Sequence, residues 1–593
     1  MKKYLNIILS GLLTVSCVDT ALPPTDKTVD EDFWKTKADV ALMVNGAYAN
    51  MLTSDVITRF IVWGDFRSDE LVQTSSITGG GIYEALRQVG AANIETTNQY
   101  TNWQSLYSVI NYCNIVIKKA GDVMGEDPNY TQGDYLNDIA QMKTLRSLCY
   151  FYLVRVFRDV PYVTEGYMEN SQEMSIPQSA PEVVLNGCIA DLLEAANHIM
   201  DPTAYDDWKS KGWLNRDAVY ALLADIYLWK ASVHHNDPNY NSAADYQRCI
   251  EYCDLVINSK NSSHRYGPME IIDANNPYPA LAKYENDYNN LFITQNDEES
   301  IFELQFNGSE NVVNNKEMGN SGLCSMLYKY NSNSANYGYL RAPQMFGTQG
   351  TSNAVFPQQY DGRKIKYIFA ANTDAEQYDV RKMITPSTFS YTAPTGNGQS
   401  RIADRSNERF AQNYIIYRMT DVMLMKAEAM GQLVVADDDI RLRQAYNIVK
   451  AVNDRAHPEG LLSDSLRFTA SKSVQGNQIN TKAGFEELVL EERLRELCFE
   501  GKRWYDLLRY NYRHTTGVNY NVILADQGGT FPTNYRQMLT LMARKIDSPD
   551  ALISKMPTEP YLYMPIREGE LEVNPALKQN PVYSSSDKWE KNY

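Results

Sequence analysis

The sequence predicts a mainly α protein, a tetratricopeptide-like helical repeat scaffold carrying a loop-rich insertion lobe with short β-strands. Small and large apolar residues recur at helical spacing in successive paired segments. A long central stretch breaks that pattern with Asn, Tyr, Ser, Gly and Pro. Small Ala beside large Tyr lets two helices approach closely and interlock, the physical basis of stacked helical pairs.

The chain opens Met-Lys-Lys, runs through an apolar core from Leu5 to Val15 and reaches Ser16 and Cys17. A charged start, a short apolar core and a small residue before the cut make a secretory signal. The run is shorter than the roughly 20 residues that cross a hydrocarbon layer. Cys17 stands where a bacterial lipoprotein signal places the cysteine that is acylated and becomes the mature N-terminus, with Thr14 where that pattern usually has Leu. Acyl chains at about 0.8 kcal/mol per buried CH₂ would hold it to a membrane. Val18 to Asp32, with Pro23, Pro24 and several acids, reads as an extended tether. The expected organisation is a signal over 1–16, anchor and tether over 17–32, a helical region over 33–257, the loop-rich lobe over 258–405 and a C-terminal region over 406–593.

Trp103–Ala120 predicts one long helix with Trp103 itself in the core. Ile139–Phe157 pairs with Pro181–Ile199, Ala218–Ala231 with Ala243–Ile257, and Ile415–Met430 with Ile440–Arg455. Within the central stretch only Ser300–Phe306 and Lys366–Ala370 read as strands. Irregular segments of this length belong to functional surfaces, so the lobe is expected to lie over the helical scaffold.

A formal charge of −17 argues against nucleic acid, which needs concentrated Lys and Arg. Seven cysteines remain after Cys17, an odd number, and Cys113, Cys149, Cys188, Cys249, Cys253 and Cys498 fall in helical patterns as small buried hydrophobes. No HExxH, GxSxG, Walker or GxGxxG pattern occurs, and the 6 His lack ligand spacing. The 42 Tyr against 17 Phe supply rings with a hydroxyl, suited to polar, flat-faced ligands, although most are needed for packing.

Five blocks resemble the SusD/RagB family in order along the chain. Asp32–Tyr48 (DFWKTKADVALMVNGAY) is similar to the opening segment, and Trp103–Asn114 to its W-x-x-L-Y-x-x-I-x-x-x-N helix. Met142–Pro161 resembles its R-A-x-x-Y-F-x-L-x-x-x-F-G-D-V-P stretch, with Arg158 where Gly is common. Glu491–Arg509 (EERLRELCFEGKRWYDLLR) and Met564–Tyr583 (MPIREGELEVNPALKQNPVY) are similar to its two closing blocks. Read as residues, these blocks are structural. Glu492 with Glu496, and Glu491 with Arg495, share helical faces among apolar neighbours and predict a paired buried network. Asn574, Gln579 and Asn580 predict hydrogen bonds to backbone groups of a buried C-terminal segment.

The resemblance implies a lipoprotein of the outer membrane, facing outward, that captures glycan without catalysis and passes it to a SusC-like TonB-dependent transporter. It implies no cofactor; Asp and Asn of the central lobe are oxygen donors of the kind calcium takes. Sugar recognition needs aromatic planes beside amide, carboxylate or guanidinium groups. Two places supply both: Trp63, Arg67, Asp69, Tyr83, Asn98, Tyr100 and Asn102 near the N-terminus, and Tyr328, Tyr330, Tyr337, Tyr339 and Arg341, interleaved with Asn331, Asn333 and Asn336, in the lobe. Two other readings stay open: a peptide-binding protein of the same transporter class, and a glycosidase using carboxyls such as Asp65 and Asp69.

Overall fold

The computed structural model describes residues 33–584 apart from 75–78, 169–174, 261–286, 307–311, 314–315, 318–319, 329–337, 348–353, 357–360, 370–376, 384–411, 458–472, 475–476, 528–535, 544, 546–555 and 557. Cys17, Tyr330, Asn331, Asn333, Asn336 and Tyr337 lie outside these residues. The principal helices are α1 (Lys37–Met51), α2 (Ser54–Ile61), α3 (Gly81–Gly90), α4 (Gln104–Glu126), α5 (Gln132–Phe157), α6 (Pro181–Ala195), α7 (Arg216–Val233), α8 (Ser242–Lys260), α9 (Ser321–Leu327), α10 (Met419–Gln432), α11 (Ile440–Arg455), α12 (Lys482–Leu497) and α13 (Arg503–Arg513). Capping starts them where the sequence offers it. Thr36 with Asp39 and Thr131 with Asp134 form capping boxes for α1 and α5, and Pro181 takes the first turn of α6.

The expected pairs form. α5 packs on α6, α7 on α8 and α10 on α11, while α4 bridges α1 and α5, and α8 reaches α10, so the pairs join into one array. Ala218, Ala221 and Ala224 on α7 leave room for the large rings beside them. One expectation is corrected. Tyr414–Arg418 is a strand, not the start of a helix, because it pairs antiparallel with Ser300–Leu304 and leads straight into α10. Lys366 and Tyr367 likewise end a short helix, leaving Ile368–Phe369 as the strand. We call the strands β1 (Val72–Gln73), β2 (Ser300–Leu304), β3 (Leu340–Pro343), β4 (Ile368–Phe369), β5 (Gln377–Val380) and β6 (Tyr414–Arg418); the four-stranded sheet runs β1-β3-β5-β4.

Buried charge locks the central segment to the C-terminal helices. Arg418 donates to Glu299 (2.7 Å), Glu496 (2.9 Å) and both oxygens of Glu500 (2.8 and 2.9 Å). Arg455 reaches Glu299 and Glu496, and Arg363 reaches Asp361, Glu492 and Glu496. Lys382 meets Glu500 at 2.6 Å. Arg495 pairs with Glu492 at 2.8 Å, the residue next to the face-mate Glu491 that spacing suggested. A second cluster joins Arg493, Lys502, Arg509 and Arg513 to Asp421, Glu428, Glu486 and Asp506. Both clusters bring cations and carboxylates in equal number, which is what makes such burial tolerable.

Arg158, standing where the resemblance expects Gly, has φ +66° and ψ −75° at the centre of a γ-turn closed by Asp159 N–H on the Phe157 carbonyl (3.0 Å). A side chain there is strained by about 1–3 kcal/mol. Its buried guanidinium offsets this by pairing with Glu559 and Asp159 and donating to the Asn519 and Val522 carbonyls. Asn574, Gln579 and Asn580 do bond backbone, at Ile176 and Ala576, at Ile566, and at Pro560 respectively. All seven described cysteines are buried and free.

Candidate functional site

The two sequence patches meet. β1, which follows the Trp63–Asp69 segment, pairs with β3, whose Arg341 lies opposite Val72 and whose Leu340 lies opposite Gln73. The ladder continues as Thr74 N–H donates to the Tyr339 carbonyl (2.9 Å), and the Gln73 amide donates to the Tyr83 carbonyl (2.9 Å). Residues far apart in the chain, Val72 and Arg341 among them, thus share one face.

Within that face the side chains divide. Trp63 is fully buried, donates its indole N–H to the Tyr100 carbonyl (2.8 Å) and packs edge-on against Phe157. Arg67 is buried over the Trp504 ring and donates to the Leu562 carbonyl. Asp69 is buried in a two-oxygen pair with Arg503 (2.7 and 2.9 Å). Asn98 is buried, donating to Ala85 and Gln88 and accepting from Tyr100 N–H. Tyr100 and Tyr328 are buried, and Arg341 is buried against Asp379 (2.9 Å). The expected platform of Trp63 and Tyr100 is therefore not an exposed one; both rings are core. The reason is the corner between α12 and α13. There Phe499 and Gly501 adopt positive φ so that their N–H groups reach Glu70 (3.0 Å) and Asp65 (2.8 Å). A Cβ on Gly64 would stand 2.2 Å from the Gly501 carbonyl oxygen, so the two backbones touch only because residue 64 is glycine. Burial pushes the Asp65 carboxyl up to about 7. Asp65 and Asp69 are thus structural, and neither faces a space that a sugar could enter.

Tyr83, Asn102 and Tyr339 remain partly exposed. Asn102 belongs to a polar trough of ≈ 450 Å³ between α2 and the start of α4, with Asn50, Thr53, Asp55, Gln104 and Ser108. Asn102 accepts from Gln104 N–H (2.8 Å). Arg59 fixes the trough from behind by donating to the Asn102, Gln99 and Asp55 carbonyls, and it pairs with the outward Asp55 carboxylate at 3.3 Å. The Tyr100 phenol, beneath this surface, is pushed up to about 12 chiefly by burial. Asp55 and Arg59 escaped the sequence reading, being ordinary helix residues until the turn at Gln99–Thr101 is folded against them. Hydroxyls, amides and one exposed carboxylate can exchange hydrogen bonds with a polyhydroxylated ligand. Among the described residues no cluster of three His, Cys, Asp or Glu side chains is arranged to hold a metal ion.

Comparison with known proteins places this architecture. Residues 357–583 match the family model described as SusD family, and residues 25–228 match one described as starch-binding associating with outer membrane. Both matches support a SusD/RagB family protein. SusD-like proteins P2 and P38 of Formosa agariphila are 25% and 24% identical to it over 543 residues, covering 86% of this chain and 91% and 92% of theirs. A solved SusD homolog from Bacteroides thetaiotaomicron superposes with a TM-score of 0.65 at 17% identity, covering 93% of this chain and 99% of that one. A SusD superfamily protein from Parabacteroides distasonis gives 0.57 at 22% identity, over 92% and 98%. These likenesses establish the SusD fold, mostly helical with small sheets.

Proposed function

We propose that this SusD/RagB protein is a lipid-anchored, outward-facing outer-membrane protein that captures oligo- or polysaccharide and hands it, chemically unchanged, to a SusC-like TonB-dependent transporter. The observation that carries the reading is the match of residues 25–228 to a model described as starch-binding and associating with the outer membrane. The polar trough at Asp55 and Asn102 supplies donors and acceptors of the kind a sugar's hydroxyls need. Capture followed by release to a partner requires moderate affinity and a reversible change of state.

Isothermal titration of the mature protein against a polysaccharide panel tests the site. Replacing Asp55 and Asn102 together by Ala should weaken the bound glycan at least tenfold, about 1.4 kcal/mol. Undiminished affinity would move the site elsewhere, and binding of peptides alone would favour the peptide-binding reading. Alanine at Trp63 or Tyr100 would instead hollow the core, and is no test of contact. For the anchor, Cys17→Ala should shift the protein from the detergent-soluble membrane fraction to the soluble one; unchanged fractionation would contradict acylation there.

A further inference from the structure

On the other side of α1 from the trough, five chain segments close around a groove of ≈ 510 Å³. We propose that this groove is a second carbohydrate subsite, taking a neutral pyranose ring. It shares no lining residue with the trough and rests on its own geometry.

One wall is aromatic. Trp208 presents its indole with 46% exposure, an unusual amount for the largest apolar side chain. Behind it Trp213 lies parallel to Tyr48, with centroids 6.5 Å apart and planes within 10°, and Tyr205 meets Trp213 edge-on. Tyr48 cannot swing, because its hydroxyl donates to Gln141 (2.8 Å) and accepts from Leu214 N–H (3.1 Å). The platform is set before any ligand arrives.

The facing wall is made of amides. Gln305 donates to Asn296 (2.7 Å), and Asn413 donates to Gln305 (3.0 Å) and to the buried Glu303 (2.7 Å), which fixes the orientation of all three. Gln295 and Asn296 both hold positive φ, +66° and +53°. Two successive non-glycine residues in that region persist only where the surroundings impose it, and such strain gathers at binding sites. Gly212 lets the walls converge: a Cβ there would stand 2.4 Å from Gln305 Cγ and 2.7 Å from the Trp208 ring.

The chemistry follows from the lining. A sugar ring offers a weakly apolar C–H face to an indole and a rim of hydroxyls that both donate and accept, which amides match. No charged side chain lines the groove among the described residues; Lys209 Nζ lies 5.4 Å over the Trp213 ring but is matched by Asp207 at 3.9 Å, so a phosphate, a uronic acid or a peptide terminus finds little net counter-charge.

Full-length mature protein labelled with 5-fluorotryptophan provides the test by fluorine NMR, with Trp208→Phe and Trp213→Phe assigning the two resonances. Titration with neutral gluco-, manno-, galacto- and xylo-oligosaccharides should shift both saturably for at least one series, and hexagalacturonate should not. Trp208→Ala, at an exposed position that leaves the fold intact, should weaken that binding roughly tenfold. The combined Asp55→Ala and Asn102→Ala variant should leave the shifts in place, which separates this subsite from the trough. Silent resonances throughout the neutral series, shifts seen only with hexagalacturonate or peptides, or shifts that vanish in the Asp55/Asn102 variant would overturn the proposal.

Discussion

Arg418→Ala should cost about 3–5 kcal/mol of stability, the penalty for removing one partner from a buried, hydrogen-bonded charge cluster. The size follows from what Arg418 holds. Its guanidinium contacts Glu299, Glu496 and Glu500, and its loss leaves Lys382, Arg455 and Arg363 to neutralise them. Burial resists charging Glu299, yet Arg455 and Arg418 hold its pKa far below the usual carboxylate range, which records how strongly the ionised form depends on them. The damage would spread beyond one helix, because Glu299 precedes β2 and Glu496 closes α12, so the same residue ties the central segment to the C-terminal block. Arg418→Lys should lose less, since one ammonium keeps the charge but cannot bridge three acids at once. Thermal unfolding followed by circular dichroism reads both; a wild-type midpoint for Arg418→Ala would contradict the buried network.

Acid should unfold the protein steeply. Burial raises Glu428, but Arg509 and Arg513 outweigh it and bring it from 4.5 to about 2, and Glu486 reaches about 2 beside Arg513 and His514. A carboxyl whose folded value lies below its unfolded value stabilises the fold at neutral pH. That contribution is complete above the unfolded value of 4.5 and is lost as pH falls toward about 2. Asp65 and Glu487 act in the opposite sense. Burial pushes both up to about 7, so they disfavour the fold near neutrality and cease to do so as they protonate toward the unfolded values of 3.8 and 4.5. The unfolding midpoint is therefore expected to rise a little from neutral pH to about 5, then to fall sharply below the ordinary carboxylate range. A midpoint that stays flat down to the acid side would show that the clusters are not ionised as drawn.

Much of this was legible in the sequence, and the failures share a cause. The helix pairs could be read because alternating small and large residues encode close packing within each segment. The charge pattern of Glu491–Arg509 announced a buried network for the same local reason, although its partners at Glu299, Asp361 and Arg363 could not be named. Tyr414–Arg418 was misread because a short apolar run looks alike as strand or helix start, and its partner strand is far away in the chain. Trp63 was misread because exposure is not a local property: its neighbours Phe60, Ile61 and Val62 did signal burial, while the α12–α13 corner that covers the segment comes near the other end of the chain, with Phe499 and Glu70 429 positions apart. The groove at Trp208 and Trp213 was missed because its amide wall is assembled from Asn296, Gln305 and Asn413, none of which is unusual in its own stretch.

The central claim is that a rigid helical scaffold presents a sugar-binding face and does no chemistry on what it holds. Its most direct test is calorimetric titration of the mature protein with candidate polysaccharides, paired with chromatography of each glycan after prolonged incubation. The account predicts saturable binding of at least one glycan with its chain length unchanged. Shortened products, or heat of binding from none of the glycans, would contradict it.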